Sequence, residues 1–244
     1  EGFAILDSNL NVLNKYFLKD IYENAGLDYL LYDHDLAYDT FHLNDVQPFL
    51  STGTTNLVLL SLRHQSSIIA FDLEREKLLW IIQGYTKFQH DVDILDEHGT
   101  AIGIFDNNNN FKDAKQYSEG NIYTTISNLP SLTDIQNFDP VNYSYIAAKE
   151  DPYGLRIKKE KFITLDKNLL PISPTNGRSE NISNNNSLFI EETDYGRLFE
   201  YDLKNKNILW QYINKNEVND NYYRLTWSRR LQVLPQVILD KTMK

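Results

Sequence analysis

The side chains best equipped for chemistry in this sequence carry nitrogen. There are five histidines, at 34, 42, 64, 90 and 98, and none beyond. A neutral imidazole can act as a nucleophile or carry a proton near neutral pH. His42 opens the strand-like run HLNDVQPF, His90 opens HDVDIL, and Arg178 opens a third run, RSENI. Asn44 follows His42 on the same face by period-two alternation, Arg63 ends LVLLSLR, and Asn108 sits in the turn-rich run DNNNN. Imidazoles beside guanidinium forks and amide donors suit the capture of an anion, with His42 and His90 as catalytic candidates. Asn44, Arg63, Asn108 and Arg178 are the binding candidates. Each has a plainer reading: a strand-end histidine bonded to nearby backbone, a solvated arginine, a polar loop. Asp91 and Asp93 alternate away from His90 and read as hydrogen-bonding groups between neighbouring units. Asp91 and Asp93 could also orient loops or bind a cation, but the set has no clear metal-ligand spacing, and no metal and no cofactor is assigned.

The elements that must position these residues repeat along the chain. Ser67 to Trp80 reads SIIAFDLEREKLLW and Arg197 to Trp210 reads RLFEYDLKNKNILW. The two align without gaps, Asp72 on Asp202 and Trp80 on Trp210, each as strand, polar turn and strand. Weaker copies run Phe3 to Leu13 and Phe162 to Leu170. Further strand-like runs lie upstream, at 42–49 with 56–63, 90–95 with 100–106, and 178–182 with 187–192. The middle unit is stretched by loops, with outer strands expected near 122–126, 143–148 and 157–165. Repeated four-stranded antiparallel units predict an all-β fold, a β-propeller. The expected layout is a partial blade at 1–17, blades at 42–84, 89–170 and 178–213, and a closing segment at 222–244. A propeller's innermost strands line its central channel, so His42, His90 and Arg178 are expected around one funnel. Trp80 and Trp210 are expected to pack between neighbouring sheets, and Glu191, Glu192 and Arg197 to form an interblade ion pair. LKDIYENA at 18–25 predicts a short helix stopped by Gly26.

Composition narrows the function. At 244 residues and 41% hydrophobic, the chain can bury a core. The net charge of −10 argues against a nucleic-acid partner. Zero cysteines exclude disulfides, thiolate metal sites and thiol nucleophiles. No apolar run approaches a transmembrane segment. The chain opens Glu1-Gly2-Phe3, without initiator methionine or signal peptide, and reads as trimmed or as a fragment.

Several stretches together resemble the arylsulfotransferase family of β-propellers. They are HLNDVQPF at 42–49, LSLRHQSSIIAFD at 60–72, LLWIIQG at 78–84, QHDVDIL at 89–95 and IFDNN at 104–108. EETDYGRLFEYD at 191–202, ILWQYIN at 208–214 and YRLTWSRRL at 223–231 continue the set in family order. The resemblance implies a six-bladed propeller, exported across the cytoplasmic membrane, of which this chain covers three to four blades. It implies transfer of a sulfuryl group from an aryl sulfate to a phenol through a sulfated histidine. His42 and His90 match histidines of the family pocket. The family supplies the sulfated histidine from a blade after the QHD blade, where this chain carries Arg178. The family arginine near the FDN loop has no counterpart in Asn107-Asn-Asn-Asn-Phe111. Three functions follow from these residues: an arylsulfotransferase-like enzyme acting on an aryl sulfate or phenol, a non-catalytic propeller binding an anionic ligand or a protein, and a glycan or phenol binder using the tyrosine-rich surface.

Overall fold

A computed structural model describes residues 1–31, 39–49, 57–107, 121–129, 131–132, 157–164, 173, 175–182, 186–219, 221–226 and 228–229. The chain enters as a hairpin, β1 (Gly2–Leu6) and β2 (Val12–Phe17), followed by helix α1 (Leu18–Asn24). Three four-stranded antiparallel sheets follow, each a meander in chain order. The first blade is β3 (Leu43–Phe49), β4 (Leu57–Leu62), β5 (Ser67–Asp72) and β6 (Lys77–Gln83). The second is β7 (His90–Ile94), β8 (Ala101–Phe105), β9 (Asn121–Ser127) and β10 (Lys158–Thr164). The third is β11 (Arg178–Ile182), β12 (Ser187–Glu192), β13 (Arg197–Asp202) and β14 (Asn207–Ile213). The fold is all-β, built of propeller blades whose innermost strands β3, β7 and β11 touch in that order.

The repeat has a local cause. Asp72 Oδ1 accepts the backbone N–H of Glu74 and Arg75 at 2.9 Å each, and Asp202 Oδ1 accepts those of Lys204 and Asn205 at 2.8 and 2.9 Å. Each turn then passes through one left-handed residue, Glu76 at φ 54 and Lys206 at φ 56. Asp7 uses a longer form of the device in the entry hairpin, its Oδ1 accepting the N–H of Asn9 and Asn11, with Leu10 at φ 67. An aspartate that bonds the backbone two and three residues on closes the turn and fixes the register of both flanking strands. The copy at Phe162 to Leu170 does not share this place: its first residues belong to β10, the outermost strand, and 165–170 lie outside the described residues.

Packing explains why the strand patterns do not alternate. In β4, Leu57 and Leu59 face a core shared with Val92, Ile102, Ile104 and Ile126 of the second blade. Val58, Leu60 and Leu62 face the opposite way, toward Leu18, Ile21 and Tyr22 of α1. A sheet covered on both faces needs apolar residues at every position. Leu18, Ile21 and Tyr22 are the buried stripe of the expected helix, and Gly26 leaves it at φ +69. A third core joins Phe105, Tyr123 and Ile163 to Leu188, Ile190 and Phe199 between the second and third blades.

Two expectations are corrected. Trp80 is 1% exposed within the core between the first two blades, but Trp210 is 41% exposed. Trp210 lies on β14, the outer strand of the third blade, most of which is exposed, and its Nε1 donates to Glu200 at 2.9 Å. Glu192 and Arg197 do pair, at 3.4 Å and fully buried, but they are directly opposed on β12 and β13 within one blade. The expected strand at 143–148 and the segment from 230 lie outside the described residues.

Candidate functional site

His42 immediately precedes β3, His90 begins β7 and Arg178 begins β11. Because the innermost strands of adjacent blades touch, these three starts converge on one cavity of about 330 Å³. His42 and Asn44 line it from the first blade, His90 and Asp91 from the second, and Asn176, Gly177, Arg178, Glu191 and Thr193 from the third. Arg224 and Thr226 complete the wall. Gly177 is required by close approach: a Cβ there would meet the Phe105 ring at 2.0 Å.

His90 is held from two sides. Before it, the buried Gln89 side chain donates to the carbonyls of Leu62 and Ser67 at 3.2 and 3.0 Å, and its Oε1 accepts from Thr86 at 2.8 Å. This ties the start of the second blade to the turn of the first. His90 Nδ1 lies 2.7 Å from Asn107 Oδ1. The orientation of that amide is set by its other end, since Asn107 Nδ2 donates to the carbonyls of Ser173 and Asn176 at 2.8 and 3.3 Å. Nδ1 of His90 must therefore carry a proton, which leaves Nε2 as the nitrogen with the lone pair. Burial lowers the imidazole pKa to about 4, with the Arg63 charge adding to the effect, so His90 is neutral at pH 7.

His42 adopts φ +50, uncommon for a residue with a Cβ, and its Nδ1 hydrogen-bonds the Asp39 carboxylate. Burial tends to raise the Asp39 pKa, but hydrogen bonds from Glu1 and His42 and the nearby imidazoles bring it down to about 2. His64 packs against His42 with ring centroids 4.4 Å apart, and the His42 and His90 rings stand 6.4 Å apart.

The binding candidates divide. Asn44 lines the cavity, but its amide nitrogen is committed to the Gln89 carbonyl at 2.7 Å, and its buried Oδ1 has no partner among the described residues. Arg63 is buried and off the cavity lining, with its guanidinium carbon 4.9 Å from the centre of the Phe88 ring. Arg178 lies on the wall, and its Nη1 donates to the Ser228 carbonyl at 3.1 Å. Asn108 lies outside the described residues.

The alternation expected after His90 is broken. Asp91 takes φ +56 and the β7–β8 register shifts between His90 and Val92, so Asp91 reaches the cavity wall beside His90. Its Oδ2 accepts the backbone N–H of Ser179 at 2.7 Å. Burial, then repulsion from Asp93 and Asp45, pushes its pKa well above the usual carboxylate range. Glu191 on the same wall spends its oxygens on Thr193 and the Ser228 backbone N–H, at 2.7 and 2.6 Å. The wall thus sets Arg178 and Arg224 beside two carboxyls already engaged by the fold, and each arginine also has a carboxylate partner off the lining, Glu180 at 3.6 Å from Arg178 and Asp194 at 2.6 Å from Arg224.

The sequence profile of the arylsulfotransferase (ASST) family matches residues 11–215. The chain belongs to that family. No curated protein matches it. Among solved structures it is similar to the Cps50 (Swd1) β-propeller domain of Myceliophteria thermophila, at 11% identity and TM-score 0.44, over 94% of this chain and 52% of that one. A Bacteroides caccae protein of unknown function is similar at 11% identity and TM-score 0.39, over 95% of this chain and 76% of that one. Saccharomyces cerevisiae Sqt1 is similar at 10% identity and TM-score 0.37, over 66% of this chain and 36% of that one. This arylsulfotransferase-family chain thus spans about half the length of the Cps50 domain and less of Sqt1. No described helix is long and apolar enough to cross a membrane.

Sequence reasoning missed four residues around this cavity. Asp39 stands three residues before His42, Gln89 and Asn107 fix His90 from either side, and Arg224 joins the wall from the tail. Gln89 and Asn107 were visible as parts of QHD and FDN, but only the fold shows that they hold His90.

Proposed function

We propose that the cavity binds an aryl sulfate or a related anionic aryl ligand and that His90 is its nucleophile, with the protein acting outside the cytoplasm as the family resemblance implies. The observation that carries this reading is the state of His90: neutral, protonated on Nδ1, its Nε2 without a hydrogen-bond partner among the described residues, on a wall shared with Arg178. In the first half-reaction Nε2 forms a bond to sulfur and the sulfur–aryl oxygen bond breaks. The aryl oxygen leaves with the electron pair and takes a proton from His42. In the second, an acceptor phenol gives its proton back to His42 as its oxygen forms a bond to sulfur and the Nε2–sulfur bond breaks. Asn107 stays on the Nδ1 proton throughout, and the Asp39 carboxylate keeps the His42 ring in one orientation. Arg178 and Arg224 supply positive charge for the sulfuryl oxygens.

A second reading, a propeller that binds the anion without transferring it, is favoured by Arg178. An arginine cannot serve as the nucleophile, and it stands where the family supplies its sulfated histidine. One experiment separates the two. The protein is incubated with a chromogenic aryl sulfate and a phenol acceptor, release of the parent phenol is followed, and binding of the aryl sulfate is measured by calorimetry. Release that is lost in His90→Ala supports transfer. Binding that is weakened in Arg178→Ala, without release, supports the second reading. Neither binding nor release removes both.

A further inference from the structure

The pairing of β3 with β4 carries two histidines to one place. The Arg63 N–H donates to the His42 carbonyl at 3.2 Å and the His64 N–H to the Phe41 carbonyl at 3.1 Å, so the two imidazoles leave neighbouring strand ends side by side. Both turn Nδ1 toward Asp39. His42 Nδ1 bonds its Oδ2, and His64 Nδ1 lies 3.7 Å from the same oxygen and 2.6 Å from the Asp39 carbonyl. One donor atom from each of Asp39, His42 and His64 lies within 4.8 Å of the other two.

We propose that Asp39, His42 and His64 form a binding site for a divalent transition-metal ion of the Zn²⁺ type. Donors around a tetrahedral ion with bonds of about 2.0–2.1 Å stand roughly 3.3 Å apart, so side-chain adjustment of about an ångström closes the set, and binding releases to solvent the protons that the two Nδ1 atoms donate to Asp39. Two imidazoles and one carboxylate select Zn²⁺, Co²⁺ or Fe²⁺ over Mg²⁺ and Ca²⁺, which take all-oxygen shells. His64 is the fixed ligand, with 8% of its side chain exposed, while Asp39 and His42 at 38% and 41% leave an entry path and open coordination positions. The left-handed backbone of His42 is the outlier that turns its ring onto Asp39 and His64. The site uses the side of His42 turned to Asp39, and it stands independently of sulfuryl transfer at His90.

The test is titration of chelator-treated full chain with Co²⁺, read by its visible d–d absorption, and then with Zn²⁺ as competitor. The expected result is one Co²⁺ per chain, displaced by Zn²⁺, with Zn²⁺ raising the melting temperature. His64→Gln and Asp39→Asn should each weaken binding by about tenfold or more, since even the loss of an outer-shell partner costs that much. His98→Gln, at an exposed histidine beside Glu97, should bind as the wild type does. If His64→Gln does not fold, Asp39→Asn at the more exposed ligand carries the test. Absence of a saturable Co²⁺ band, wild-type binding in Asp39→Asn, or equal loss in His98→Gln overturns the site.

Discussion

Asp45 on the innermost strand of the first blade accepts the backbone N–H of Val92 on the innermost strand of the second, at 3.0 Å. One blade further on, Asp91 accepts the N–H of Ser179 at 2.7 Å. Each aspartate stitches its strand to the next; Asp45 directly follows a register shift in its strand pair, and Asp91 sits within one. His90 and Arg178 begin two of these strands and His42 directly precedes the third, so these two bonds set the spacing of the cavity wall. Asp45→Ala leaves a buried N–H without an acceptor and should cost about 1–3 kcal/mol in urea unfolding. Asp45→Asn keeps an acceptor oxygen and should cost less than the alanine variant. Equal losses in the two variants would show that the bond to Val92 contributes nothing.

The carboxyls of this seam make stability depend on pH in a direction opposite to the usual one. Burial, then repulsion from Asp45 and Glu180, raises the Asp93 pKa to about 7, and Asp91 and Asp45 are raised mainly by burial. Burial likewise raises Glu192 to about 8, outweighing the Arg197 charge beside it. From about pH 4 upward the unfolded chain releases these protons while the folded chain keeps them. The folded state therefore binds more protons, and stability falls as pH rises through the folded values. For Asp93 alone the loss between about pH 4 and 7 is on the order of a few kcal/mol. Two groups act the other way: against burial, hydrogen bonds from Thr175 and Ser173 hold the Asp194 pKa below the usual value, so its contribution is lost as pH falls below the carboxylate range, and burial holds His90 at about 4, so its contribution grows as pH rises toward the ordinary imidazole value and offsets part of the fall. Urea midpoints should be higher at pH 5 than at pH 8, and Asp93→Asn should flatten the profile. A midpoint that rises from pH 5 to pH 8 would sink this account.

The two tryptophans of the repeat should separate sharply. Trp80 fills the core between the first and second blades, and Trp80→Ala should cost about 3–5 kcal/mol. Trp210 is half-exposed, stands 6.1 Å from Phe189 between ring centres and donates one hydrogen bond to Glu200. Trp210→Ala should cost roughly 1 kcal/mol. Comparable losses at both positions, measured by urea unfolding, would mean that β14 is covered as β6 is.

The turn aspartates and the doubly covered strands were legible in the sequence because their causes are local. Asp72 and Asp202 bond backbone groups two and three residues away, and the uninterrupted run LVLLSL of β4 announces two covered faces. The starts of the innermost strands at His42, His90 and Arg178 were legible for the same reason. The fate of Trp210 was not, because the hairpin that carries it is the same as that of Trp80 and only the neighbouring sheet differs. The position of Asp91 was not legible either: alternation sends it away from His90, and the left-handed residue that brings it back has no marker in HDVDIL. Asp39 lacked any signal, since its meeting with His64 arises from the register of β3 on β4.

Asn107 governs which nitrogen of His90 can react. Its Nδ2 is taken by the carbonyls of Ser173 and Asn176, so only Oδ1 faces the ring, and an amide oxygen accepts but cannot donate. His90 should therefore hold one neutral tautomer, protonated on Nδ1, throughout the range from pH 5 to 8, because burial keeps its pKa near 4. Nitrogen-15 NMR of labelled histidine reads this directly: an Nδ1 signal of the protonated type and an Nε2 signal of the bare type, neither moving across that range. Asn107→Ala removes the acceptor and also the bond that favours the imidazolium, so the ring should stay neutral but divide between its two tautomers. A His90 that titrates near pH 6.5, or that carries its proton on Nε2 in the wild type, would remove the lone pair that sulfuryl transfer at this position requires.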